Sequence, residues 1–200
     1  MSKTTTTPNP NRRSERGRAV KEDSTSKWTW IGLGGVLLAI VVIVAAVLLR
    51  PGDTGEIAGL QTFANLERGH SDQVQIYQQN PPAGGLHTPE WQNCAFYDRP
   101  IRKEHGVHSL EHGAVWITYR PDLAADQVTT IRNLVQSRPF TMASPMENLP
   151  SPVVASAWGL QVGLDGASDP RLEQFVSKYA QGPQTPEPGA ACSGGIATTE

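Results

Sequence analysis

From Trp28 to Leu49 the chain runs for 22 residues without a charged side chain. No other stretch constrains the architecture as much. At about 1.5 Å per residue, a helix of that length crosses a hydrocarbon core of roughly 30 Å. Trp28 and Trp30 suit an interfacial anchor at one end. A buried helix of a soluble protein rarely stays uncharged for so long. A cleaved signal peptide would have a shorter apolar region ending in a small-residue site, which Leu48-Leu49-Arg50-Pro51 is not. The run therefore predicts an N-terminal single transmembrane helix over 28–49. Lys3, Arg12, Arg13, Arg16, Arg18, Lys21 and Lys27 precede it, whereas only Arg50 follows closely. The positive-inside rule then places the N-terminus in the cytoplasm and the rest of the chain outside, as a single-pass protein of the cell membrane.

The flanks divide accordingly. Residues 1–27 are rich in Ser, Thr, Pro and Asn with no apolar period, and read as a disordered cytoplasmic segment. Residues 50–59 form a polar tether, and residues 60–180 are expected to fold outside the membrane. Within them, Val74-Gln75-Ile76-Tyr77 alternates like a short strand, Asn80 to Gly85 is a loop, and Trp91 to Tyr97 reads as another strand. Ala114 to Tyr119 is the clearest strand. Pro121-Asp122 opens a helix whose stripe is Leu123, Val128, Ile131 and Leu134. Pro152 to Val162 predicts a strand broken at Gly159. Asp169-Pro170 starts a last helix with Leu172, Phe175, Val176 and Tyr179 inward. Residues 181–200 read as a tail. Short, interspersed elements of this kind predict a small compact α+β domain.

The formal net charge of −2 argues against a nucleic-acid partner, which would need a basic face. Two cysteines, Cys94 and Cys192, on the outer side of a membrane predict one disulfide. It would staple the tail to the domain.

Chemistry concentrates between Glu104 and His112, where nine residues hold three histidines and two carboxylates before the chain enters the Ala114 strand. Four residues apart on a helical turn, His108 and His112 share a face, with Glu111 between them. Neutral imidazole is a common ligand for Zn²⁺ and Cu²⁺. His70 or His87 would supply a third nitrogen, and Glu111 would be a ligand or an outer partner. The competing interpretation is a buried polar network that merely holds an irregular fold. Met142 and Met146 offer thioethers to Cu(I) if they fold nearby, or else fill core gaps. His108-Ser109-Leu110-Glu111-His112 also matches H-x-x-E-H, in which two histidines hold zinc and the glutamate is the general base. Gly106 and Gly113 bracket that motif and a strand follows at once, unlike the long helix it requires. Glu111 is catalytic only under that hydrolase interpretation.

Gly69-His70, Tyr77, Asn80-Pro81-Pro82-x-Gly84-Gly85-x-His87, Trp91, Tyr97, Val107-His108-Ser109-Leu110-Glu111-His112-Gly113, Ala157-Trp158-Gly159 and Cys192-Ser193-Gly194-Gly195 occur in this order. Over residues 60–195 the chain thus resembles a bacterial, notably actinobacterial, domain-of-unknown-function family of membrane-anchored proteins with an HSLEHG signature. The resemblance implies one anchored outer domain and brings no activity with it. His105 falls outside the shared pattern.

Taken together, the sequence predicts a membrane-anchored extracytoplasmic domain that binds copper or zinc through His108, His112, His70 and His87, with Glu111, in metal handling or sensing. A non-catalytic envelope interaction domain with a structural histidine network is the alternative, and a zinc metallohydrolase ranks third. A non-enzymatic role is preferred. The metal, any envelope protein partner and the oligomeric state stay open.

Overall fold

In the computed structural model, which describes residues 55–200, eight elements follow one another: β1 (Gln61–Thr62), α1 (Lys103–Glu111), β2 (Val115–Tyr119), α2 (Ala125–Ser137), β3 (Thr141–Pro145), β4 (Val153–Ala157), β5 (Leu160–Leu164) and α3 (Pro170–Tyr179). The strands form one mixed sheet in the order β1-β5-β4-β2-β3. Parallel pairing of β2 with β3, Val115 opposite Thr141, follows from the crossover through α2. The remaining pairs are antiparallel.

The period-two alternation of the strands splits the core between the two faces of the sheet. Val115, Ile117 and Tyr119 of β2, Ala143 of β3, Val153 and Ala155 of β4, and Val162 and Leu164 of β5 pack in one cluster with Ile131 and Val135 of α2 and Leu172, Phe175 and Val176 of α3. The opposite face carries Trp116, Met142 and Val154, packed against Val107 and Leu110 of α1 and against Trp158. Residues 63–102 cover that second face almost without regular structure. The candidate site lies on this side, where α1 meets the irregular segment.

α1 ends sharply. Gly113 has φ 92°, a conformation that favours glycine, and it turns the chain from the helix into β2. Gly106, inside α1, allows close contact of another kind: a Cβ there would stand 2.6 Å from the Trp116 ring. α3 begins as expected, with the Asp169 carboxylate accepting from the Arg171 N–H at 3.0 Å and Pro170 in the first turn.

Several expectations need correction. Among the described residues no helix is long and apolar enough to cross a membrane. The longest of them, α2, has 13 residues, about 20 Å at the usual rise, against a hydrocarbon core of roughly 30 Å. The span expected at 28–49 lies outside the described residues, as do the cytoplasmic segment and the first half of the tether. The fold class is therefore corrected to a small α+β domain with a mixed sheet and three described helices. The single-pass anchor, the membrane as partner, the cell-membrane location and the extracytoplasmic side are not carried forward with it.

Within the domain, Val74 to Tyr77 forms no strand, and Val74 and Ile76 are among the most exposed apolar side chains. Trp91 to Tyr97 contributes only isolated bridges at Gln92 and Phe96. The strand expected across Gly159 is a hairpin turning at Trp158-Gly159. Met142 lies on β3; it and Met146 are buried among Leu110, Trp116 and Leu149, so both methionines act as core filling. The tail is no loose end. Cys192 is bonded to Cys94, with Cα atoms 5.4 Å apart, and Ile196 pairs with Gln92.

Candidate metal centre

Positions 104, 108 and 111 fall on one stripe of α1, because steps of four and three residues return to the same face. Glu104, His108 and Glu111 are all buried there, while Val107 and Leu110 on the adjoining stripe enter the core. Glu104 fastens the irregular segment to the helix. Its carboxylate accepts from the Gln75 N–H at 2.8 Å and from Arg102 Nε at 3.1 Å. Burial works against its ionisation, but these donors prevail and hold the carboxyl below the usual glutamate range.

His70 and His87 reach the same place through the backbone. A single parallel bridge pairs them, with the Ser71 N–H donating to the His87 carbonyl at 2.7 Å and the His87 N–H donating to the Gly69 carbonyl at 3.2 Å. One ligand-capable atom each from His70, His87, His108 and Glu111 then lies within 4.8 Å of every other. The ring centres of the three histidines are 5.1, 4.9 and 4.8 Å apart. Three imidazoles bonded to one tetrahedral ion at about 2.0–2.1 Å have centres about 5 Å apart, so the spacing fits such an ion.

Backbone carbonyls fix two of these rings. His87 Nδ1 is 2.8 Å from the Gly85 carbonyl and His108 Nδ1 is 2.7 Å from the Thr88 carbonyl. A carbonyl only accepts, so in each ring Nδ1 carries the proton and the Nε2 lone pair is free for a cation. Burial is the main reason the His108 pKa is lowered to about 4; the Thr88 carbonyl opposes this, and His112, His87 and His70 add to it. His108 is thus neutral at pH 7, as a ligand must be.

The key contact lies between His87 and Glu111. Nε2 and Oε2 are 2.9 Å apart and both side chains are buried, yet the pair lacks hydrogen-bond geometry and Nε2 has no hydrogen-bond partner. With the ring proton on Nδ1, two electron-rich atoms lie 2.9 Å apart with no proton between them. That arrangement repels unless a positive charge lies between the two atoms.

His112 separates from this group. It caps α1, its Nδ1 lies 2.7 Å from the Ala191 carbonyl, and its Nε2 faces Glu187 Oε2 at 3.6 Å. Its ring centre is 4.5 Å from that of His108, beside the four-residue group but not part of it. The pairing of His108 with His112 on which an H-x-x-E-H zinc site depends is therefore replaced by His108 with Glu111. His105 is also outside the group. Glu187, 75 positions beyond His112 on the tail, has no local sequence signal that would reveal this contact. The anchoring carbonyls of Gly85 and Thr88 are equally hidden, since backbone groups leave no signature in residue identities.

No curated protein and no solved structure matches the chain. A family model described as "Protein of unknown function (DUF3105)" matches residues 70–194, a segment that holds all four residues of the cluster and both cysteines. With more than half of its length matched, the chain belongs to that family.

Proposed function

We propose that this domain binds one transition-metal ion, with His70, His87, His108 and Glu111 as ligands. The observation that carries this reading is the 2.9 Å approach of His87 Nε2 to Glu111 Oε2 without a hydrogen bond. A cation bonded to both removes the repulsion and supplies the missing partner. It would also tie the irregular segment at 70–87 to α1, two parts of the chain otherwise joined by few polar contacts.

Three imidazoles and a carboxylate form a borderline to hard donor set that suits Zn²⁺ or Cu²⁺. Soft sulfur is missing from it, since both cysteines are in the disulfide and Met142 and Met146 are packed in the core. Cu(I) is accordingly disfavoured. Ring centres near 5 Å suit tetrahedral Zn²⁺, while the 2.9 Å edge between His87 and Glu111 suits the right angle of tetragonal Cu²⁺, so the spacing admits either ion.

Metal analysis of the full chain, purified without a histidine tag, tests the proposal. The expected result is one zinc or copper per chain, or one-to-one uptake of zinc by the metal-free protein at neutral pH. A protein that carries no metal and takes up neither ion would refute it. If replacing His87 and His108 together by Ala unfolds the domain with no metal ever bound, a structural histidine network accounts for the cluster instead.

A further inference from the structure

The four proposed ligands are not held alike. His87, His108 and Glu111 are buried, whereas His70 is exposed. The rings of His87 and His108 are each fastened by Nδ1 to a carbonyl. Among the described residues the His70 ring has no such hydrogen bond; the backbone bridge to His87 and stacking against the His108 ring, 4.9 Å between centres, place it. Its neighbours Glu67, Arg68, Asp72 and Gln73 are also exposed, so its outer side is open to solvent.

We infer that His70 is the displaceable ligand of this centre, and that its coordination position is where an external monodentate donor binds the metal. This inference rests on the metal-binding reading above. Three preorganised ligands suffice to retain a zinc-like ion, and catalytic and exchangeable sites keep their fourth position for water or an incoming group. A ligand without a second hydrogen bond must also give up rotamer freedom on binding the metal, which weakens its hold relative to the two anchored rings. The incoming donor is a single nitrogen or a small anion, because it takes the one coordination position that His70 leaves. Large chelating substrates do not fit this description, since the other three positions are occupied from inside the protein.

The test uses Co²⁺ as a spectroscopic stand-in for the metal in the full chain. His70→Gly is expected to retain one Co²⁺ per chain, with affinity reduced by roughly 10- to 100-fold, about the penalty for losing an outer partner. Its visible spectrum is expected to shift on addition of imidazole, azide or both, and imidazole to restore the spectrum of the parent protein. Which of the two probes acts separates a histidine-type donor from an anion. His87→Ala and His108→Ala are expected to lose the metal altogether. If His70→Gly loses Co²⁺ as completely as they do, His70 is a fixed ligand and the inference falls. It falls equally if the variant binds Co²⁺ but neither imidazole nor azide changes its spectrum. A parent chain that takes up neither Co²⁺ nor zinc nor copper overturns the metal-binding reading and this inference with it, whereas the two preceding outcomes overturn the inference alone.

Discussion

His87 Nε2 and Glu111 Oε2 approach to 2.9 Å inside the domain and do not form a hydrogen bond. The edge of an octahedron or tetrahedron with bonds near 2.0–2.1 Å is about 2.9–3.4 Å, so the distance is one that two ligands of a shared ion adopt. Removing the charge from this pair should therefore weaken the site more than it disturbs the fold. Glu111→Gln is expected to lower zinc affinity at least tenfold, about 1.4 kcal/mol or more. The midpoint of urea unfolding of the metal-free protein should change little, because the near-isosteric neutral amide removes the repulsion with His87 Nε2 and opens no cavity. Calorimetric titration and urea melts of the same preparation check both parts.

The lowered pKa of His108 gives the metal-free domain a defined acid sensitivity. The folded state holds His108 neutral down to about pH 4, whereas an unfolded histidine takes its proton near 6.5. Between those values the unfolded state binds more protons, so stability must fall as pH drops from about 6.5 towards 4. Above this window the contribution of His108 is fully present, and below it no further loss arises from this residue. Unfolding midpoints measured from pH 7.5 to pH 4 should decline in the metal-free parent and decline less steeply in His108→Gln.

Gly106 should be intolerant of a side chain even though it sits in a helix. Alanine ordinarily stabilises a helix over glycine by about 1 kcal/mol. Here the added Cβ would meet the Trp116 ring at 2.6 Å, and that ring is fully buried with its Nε1–H donated to Ser144 Oγ at 3.0 Å. Overpacking of this kind costs about 1–3 kcal/mol, enough to outweigh the propensity gain. Gly106→Ala is expected to lower the thermal midpoint. A raised midpoint would show that Trp116 has room to shift.

Breaking the disulfide should loosen the tail and spare the cluster. Cys94 and Cys192 are 98 positions apart, and closing a loop of that size is worth about 4–5 kcal/mol at most in the chain-entropy account. Released, the tail would give up the Ala191 carbonyl and Glu187, the two partners of His112. All four proposed ligands precede residue 112. Cys94→Ala combined with Cys192→Ala is expected to unfold at lower denaturant yet still bind one metal per chain.

How far residue patterns foretold this arrangement differs from one residue to the next. The i, i+3 relation of His108 to Glu111 is local, and it places both on one helical face. The helix itself was obscured, because Gly106 reads as a break unless Trp116 is known to lie against it. His112 has the spacing of a partner to His108, but at the helix end its ring turns to Ala191 and Glu187, a long-range contact that spacing does not encode. β2 was plain from its run of β-branched and aromatic residues. β3 was not: Thr141 to Pro145 is short, ends in proline, and is a strand only through parallel pairing with β2. Val74 and Ile76 err the other way, alternating like a strand while exposed to solvent.

X-ray absorption at the zinc edge of the zinc-loaded chain tests the central claim most directly. A first shell of nitrogen and oxygen near 2.0–2.1 Å, with the outer-shell scattering of about three imidazoles and no sulfur, is the predicted result. Substituting His112 by Ala should leave that shell unchanged, while His87→Ala should abolish binding. A shell without imidazole scattering, or one that persists in His87→Ala and vanishes in His112→Ala, would contradict the assignment of the metal to His70, His87, His108 and Glu111.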